Sequence, residues 1–312
     1  VPRTLRATAA LLVVCLVALV VGASTAIGGG SGYIHYQSNG RNYIPDLPGG
    51  GQYVSMGDSY AASGSLSKRY ALDFCSRNSD DLGHVLAQRL QPNTFTDRAC
   101  SGASLDDLTQ LSWKPQSSPQ IYGVGPFTRL VTVIAGANSL GFGGVITRCF
   151  TDPGVRTEAA CREEVERNLP GTQGWNFVRA QYAATIDAIR KAGAPDMRLL
   201  MVGYLPLFPA EGEVDPACLA AAEIPQWSVP LWRTWYDALQ RMVKEVAADR
   251  GAIYIDPPVD HPACSPDPYV ALRGATIKGE GPDSFGLHPT VLGQRALGNL
   301  IEDRLRGLAR PA

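Results

Sequence analysis

The chain has 312 residues, with 28 lysines and arginines against 29 aspartates and glutamates and a formal net charge of -1. No basic block along it would neutralise a run of phosphates, so nucleic-acid binding is disfavoured. The length suffices for a sizeable core, and one α/β domain behind an N-terminal extension is the expected organisation. In chain order, Arg3 and Arg6 come first, followed by an uncharged apolar run from Ala7 to about Ile27 that closes on small residues, the layout of a secretory signal. The same run is long enough to cross a bilayer once. Residues 1–27 are therefore expected to be a signal peptide or an N-terminal membrane anchor acting through residues 7–27, and the protein to be secreted or associated with the cell envelope. Cys15 counts as one apolar residue of that segment. Residues 28–51 are mostly Gly, Ser, Asn and Pro with isolated aromatics, which reads as a linker, and the domain is placed at 52–312.

Four short apolar runs have the length and bounding turns of buried strands: "YVSMG" near 53, "RLVTVIAG" from 129, "MRLLMVGY" from 197 and "AIYID" from 252. A weaker fifth is "NTFTDRA" from 93. Between and after them lie helical patterns: "DDLGHVLAQRL" from 80, "FVRAQYAATIDAIRKAG" from 177, "LWRTWYDALQRMVKEVAADRG" from 231 and "TVLGQRALGNLIEDRLRGL" at the C-terminus. Alternating strands and helices predict a mainly parallel sheet of about five strands covered on both faces, a three-layer α/β/α sandwich. The Trp and Tyr residues of "WSVPLWRTWY" are expected to face the core.

Without Cys15, six of the 7 cysteines remain: Cys75, Cys100, Cys149, Cys161, Cys218 and Cys264. An even number in an exported chain predicts three disulfides. Sequence alone allows about 15 connectivities. Chain proximity favours Cys75 with Cys100, Cys149 with Cys161 and Cys218 with Cys264. No C-x-x-C pair or His/Cys cluster points to zinc, and no metal site is expected.

In parallel α/β sheets, reactive side chains gather beyond the C-terminal ends of strands. Ser59, in "YVSMGDSYAASG", stands directly after the first strand, where Gly57 permits a tight turn. A helix N-cap at Asp58 or Ser59 would explain the same residues. A serine nucleophile also needs a base and donors for the developing oxyanion. Of 4 histidines, His35 is in the linker, His84 falls on a helix where a surface place is expected, and His261 sits beside Cys264 as a structural residue. His288, in the glycine-containing turn "DSFGLHPTVLG" that opens a helix, is the best base.

These residues carry a resemblance. "MGDSY" resembles the first block of the GDSL or SGNH hydrolases, "ACSGAS" (99–104) the second, "IAGANSLGF" (134–142) the third and "LHPTVLGQ" (287–294) the last, in order and at fitting spacing. The six cysteines, "GYLPLFP" at 203–209 and "DHPAC" at 260–264 further resemble the secreted actinobacterial lipases and esterases of that family. The resemblance implies a flavodoxin-like SGNH fold and a serine esterase or lipase that forms an acyl-enzyme without cofactor. Ser59 would be the nucleophile, His288 the base, and the backbone N–H groups of Ser59 and Gly102 with the Asn138 amide would form the oxyanion hole. Its ester substrate could be a lipid, a short acyl ester or an acylated sugar.

Two positions depart from the family pattern. Ser139 stands where the third block usually has aspartate, and Phe285 where the last block has aspartate three residues before the histidine. Asp283 is the nearest carboxylate to His288. The alternative orienting group is a backbone carbonyl of this loop, such as that of Phe285. Two other readings accompany hydrolysis: an acyltransferase acting on envelope lipids or glycans, and a non-catalytic binding protein on the same scaffold.

Overall fold

The computed structural model describes the backbone of residues 33–34 and residues 51–110, 118–274 and 282–308. Two units are distinguished, Val1–Tyr33 and Ile34–Ala312. Of the first only Tyr33 is described, as part of a two-residue strand, Tyr33–Ile34. The expected signal or anchor, Cys15, His35 and all of the linker but Tyr33, Ile34 and Gly51 lie outside the described residues. Among the described residues no helix is long and apolar enough to cross a membrane.

From Gln52 onward five strands build a parallel sheet: β1 Gln52–Gly57, β2 Thr94–Asp97, β3 Thr128–Ile134, β4 Arg198–Val202 and β5 Ile253–Ile255, in the order β2-β1-β3-β4-β5. The strands read as apolar runs because both faces are covered. Tyr53, Val54 and Met56 of β1 are all fully buried, although Tyr53 points to one face of the sheet and Val54 and Met56 to the other. The weak fifth strand is β2. Its polar residues Thr96 and Asp97 are buried as well, and Phe95 stacks on Tyr53 at 5.1 Å.

One helical layer holds α1 (Ser59–Ala62), α2 (Leu82–Leu90) and the C-terminal α9 (Val291–Leu308). The other holds α3 (Leu105–Thr109), α5 (Glu158–Glu166), α6 (Gln173–Ala192) and α8 (Ser228–Asp249), with the short α4 (Phe142–Ile146) packed against α5 and α7 at Pro216–Ala221. The long α8 buries Trp232 and Trp235, as its pattern predicts, and the indole N–H of Trp235 donates to the Leu140 carbonyl at 2.9 Å. A two-stranded antiparallel ribbon, β6 (Val270–Ala271) with β7 (His288–Pro289), stands apart from the sheet and carries His288.

The three disulfides join Cys75 to Cys100, Cys149 to Cys161 and Cys218 to Cys264. Two histidine expectations resolve differently. His261 lies beside Cys264, with its ring 4.7 Å from that of Tyr269 and its carbonyl accepting from the Tyr269 N–H. His84 is not on the surface: it is buried at 4% exposure. Its ring packs on Phe95 of β2 at 5.1 Å and lies beside Asp97 of the same strand, while Tyr70, from the 66–80 loop, covers it at 5.7 Å.

Candidate active site

β1 ends at Gly57, whose φ of 142° is open to glycine, and where an added Cβ would fall 2.0 Å from the Ile134 carbonyl oxygen. The chain thus turns sharply at the sheet edge. Asp58, next in line, is the N-cap of α1: its Oδ1 accepts from the Tyr60 N–H at 2.9 Å. Because the cap falls on Asp58, the Ser59 hydroxyl is spared that duty. It lies instead 2.7 Å from Nε2 of His288, 229 residues away in the chain.

The other imidazole nitrogen, Nδ1, is 2.7 Å from the Gly286 carbonyl oxygen. A carbonyl only accepts, so Nδ1 carries the proton and Nε2 is left as the acceptor for the serine hydroxyl. Leu287 between them adopts φ 61°, and with this reversal the Gly286 carbonyl meets the ring. The Leu287 N–H donates to the Ala271 carbonyl at 2.6 Å and its carbonyl accepts from the Tyr60 hydroxyl at 3.0 Å, fixing the turn from both sides. Burial holds the imidazole below its ordinary pKa, and the bond to Gly286 offsets only part of that.

The structure does not bring Asp283 to His288. Its exposed carboxylate accepts from the Ser67 N–H at 3.0 Å and the Ser67 hydroxyl at 2.5 Å. Gly286, not Phe285, supplies the facing carbonyl. The half-buried Phe285 ring stands 6.0 Å from the imidazole, with the Arg69 guanidinium 5.8 Å from the Phe285 ring centre.

The loops after β1, β2 and β3 are stitched together around Ser59. The Cys100 N–H donates to the Gly57 carbonyl at 3.0 Å, and the Asp58 N–H to the Ile134 carbonyl at 2.8 Å. Gly102 takes φ 77°, a left-handed turn that exposes its peptide. One N–H of the Asn138 amide donates to the Ala103 carbonyl at 2.9 Å, which fixes the amide plane and leaves its second N–H for another acceptor. Ser139 accepts the Leu105 N–H at 2.9 Å, so this departure from the family pattern ties the third loop to the start of α3.

Residues 55–296 match the model of the GDSL-like Lipase/Acylhydrolase family. The chain belongs to that family. Over 263 residues, 81% of this chain and 85% of the relative, it is 31% identical to "Lipase 2" of Streptomyces coelicolor. An extracellular lipase of Streptomyces rimosus aligns with 81% of this chain and 99% of its own at a TM-score of 0.64 and 23% identity. A phospholipase A1 of Streptomyces albidoflavus does so over 81% and 98% at 0.60 and 22%. These two structures establish the α/β/α fold, and the family makes the protein a carboxylic ester hydrolase.

Three supports of this GDSL-family hydrolase's site escaped the sequence. Gln120 offers its amide to Gly57, with Oε1 accepting the Gly57 N–H at 2.7 Å and Nε2 donating to its carbonyl at 2.8 Å. The Tyr204 hydroxyl donates to Asp58 Oδ2 at 2.5 Å and accepts the Ala137 N–H at 3.0 Å, linking the nucleophile turn to the residue before Asn138. Burial nevertheless raises Asp58 to a pKa of about 7. Gln294, in the last block, donates to the carbonyls of Tyr60 and Ser63 at 2.8 and 2.6 Å and so locks α9 onto α1. Tyr204 and Gln294 lie inside quoted motifs, but nothing local reveals any of the three contacts, because each spans more than sixty residues.

A second convergence was also missed. Asp81, His84 and Asp97 are all buried, and their ligand-type atoms lie within 4.8 Å of one another. Asp81 Oδ1 accepts from both the His84 backbone N–H at 2.9 Å and ring Nδ1 at 2.8 Å, while Nε2 faces the Tyr70 hydroxyl at 2.9 Å. Burial raises the Asp81 pKa to about 8 and Asp97 well above its usual value, and it lowers His84. Each shift favours the uncharged form of its group.

Proposed function

We propose that the protein is a secreted serine esterase or lipase that cleaves carboxylic esters through an acyl-enzyme on Ser59. The observation that carries this reading is the Ser59–His288–Gly286 chain, with 2.7 Å on either side of the imidazole. Nε2 takes the serine proton as Oγ attacks the ester carbonyl, and it returns that proton to the leaving alcohol. Water then enters, activated by the same nitrogen, and releases the acid. The backbone N–H groups of Ser59 and Gly102 and the free N–H of Asn138 receive the oxyanion, neutral donors whose strength does not vary with pH.

A carbonyl fixes the tautomer as a carboxylate does, but it stabilises the imidazolium less. Burial adds to that cost by favouring the neutral ring. Both effects keep His288 unprotonated and ready as a base at neutral pH. Export is supported by the three disulfides, and the Streptomyces rimosus relative is an extracellular lipase.

The test is hydrolysis of p-nitrophenyl esters of increasing chain length by the protein and by Ser59→Ala. Turnover lost in the variant by about a thousandfold or more supports the reading, and unchanged turnover overturns it. Adding an acceptor alcohol and analysing products separates hydrolysis from acyl transfer.

A further inference from the structure

The 66–76 loop is fastened to both halves of the site. On one side the Leu66 N–H donates to the Asp283 carbonyl at 3.3 Å and Ser67 holds the Asp283 carboxylate, five residues before His288. On the other, Cys75 is disulfide-bonded to Cys100, and its carbonyl accepts the Ser101 N–H at 2.9 Å, next to Gly102. The tip between these anchors is apolar and uncovered: Leu72 is 95% exposed and Phe74 64%.

The fold gains little from either side chain. Leu72 is almost wholly exposed and holds φ 60°, a left-handed conformation that glycine or asparagine would adopt with less strain. Lys68 and Arg69, both exposed, stand beside the tip. An apolar tip flanked by cations matches a lipid surface bearing anionic head groups, with the side chains entering the acyl region and the cations meeting phosphates.

We infer that Leu72 and Phe74, with Lys68 and Arg69, form an interfacial tip that seats the enzyme on anionic lipid aggregates and brings esters in that surface to Ser59. This inference rests on the ester-hydrolase reading above and narrows its substrates to lipids presented at an interface. The Cys75–Cys100 bridge makes the tip a fixed part of the rim, so seating it sets where the oxyanion loop and His288 meet the surface.

The deciding measurement uses the full chain in a Ser59→Ala background, which leaves vesicles intact. Leu72→Trp is mixed with vesicles of phosphatidylcholine containing one part phosphatidylglycerol in about three, with and without brominated acyl chains. Quenching beyond that of the protein with Leu72 intact is expected, because the new indole enters the acyl region. In the active protein, Leu72→Asn with Phe74→Ser should lower hydrolysis of an ester embedded in those vesicles about tenfold. Leu72→Asn suits the left-handed turn, so hydrolysis of dissolved p-nitrophenyl acetate should stay within about twofold. Lys68→Ser should weaken hydrolysis in anionic vesicles about fivefold and in purely zwitterionic ones hardly at all.

No extra quenching of the Trp variant, or equal hydrolysis of embedded ester by the parent and the double variant, overturns the inference. So does self-association of the parent without lipid that the double variant abolishes, since the tip would then be an interface between copies. Absence of turnover on dissolved ester in the parent would instead defeat the ester-hydrolase reading, and the quenching result would still stand by itself.

Discussion

Two histidines in this protein have opposite surroundings. His84 is wedged against Asp81 and Asp97, with Tyr70 on its far nitrogen and no nucleophile in reach. Among the described residues no carboxylate meets His288, which has a carbonyl behind it and a serine in front. A search for an Asp–His pair would select the first and miss the second. Burial forces the carboxyls around His84 towards the neutral state, so their nearness contributes hydrogen bonds in the core and no usable charge. What suits His288 to the proposed role of base is its position at the sheet's C-terminal edge, where a half-buried serine meets it.

The largest separation of the two sites is expected from removing each ring. His288→Ala should lower kcat on a soluble ester by about a thousandfold or more with little change in melting temperature. His84→Ala should do the reverse: kcat within a few-fold, and stability reduced by about 2–4 kcal/mol because buried Asp81 loses its ring partner and a gap opens beside Phe95. Equal loss of activity in both, measured on folded protein, would break the distinction.

The pH dependences should also diverge. The base must be unprotonated and burial depresses the pKa of His288, so the acid limb of kcat/KM should fall below the ordinary imidazole value of about 6.5. For the core cluster the sign runs the other way. Asp81 has a folded pKa of about 8 against an ordinary aspartate value of about 3.9 when unfolded. Between those limits only the native state keeps the proton, so its contribution is full below about pH 4 and is lost as pH rises through about 8. Asp81→Asn keeps the oxygen that His84 uses and removes the titration. Denaturant midpoints at pH 5 and pH 8 should show the parent losing about 1–3 kcal/mol more than the variant. His84, depressed in both proteins, adds an opposite term that largely cancels in the difference.

The smallest effect sharpens the contrast most. Asp283→Asn should leave kcat within about threefold, since its carboxylate meets Ser67 and not the imidazole. A hundredfold loss would mean the loop rearranges during catalysis to bring Asp283 to His288.

Much of this could be read beforehand. "MGDSY" after an apolar run located Ser59, and "LHPTVLGQ" located His288. The five strands and the four long helices lie where their periodicities placed them. β2 was the weakest because it is only four residues long and three of the four are polar, its burial being imposed by Tyr53 and α2. The group behind His288 could not be read: every residue carries a carbonyl, so composition marks none of them, and only the turn at Leu287 selects Gly286. Nor could His84 be placed, since its burial comes from Phe95 and Asp97 of β2 and from Tyr70 of a loop, contacts that a polar residue in a helical pattern does not announce.

Gln120 shows how a parallel sheet can be parted at one end without orphaned peptides. β2 pairs with β1 no further than Ser55, so the Gly57 N–H and carbonyl, two residues on, point to a side where the neighbouring strand has ended. A carboxamide has the same donor and acceptor as a peptide bond: the Gln120 side chain accepts the Gly57 N–H and shares the Gly57 carbonyl with the N–H of Cys100, three residues beyond β2. The two chains can therefore part beyond Ser55, while the main chain leading to Ser59 stays as fully bonded as the middle of the sheet.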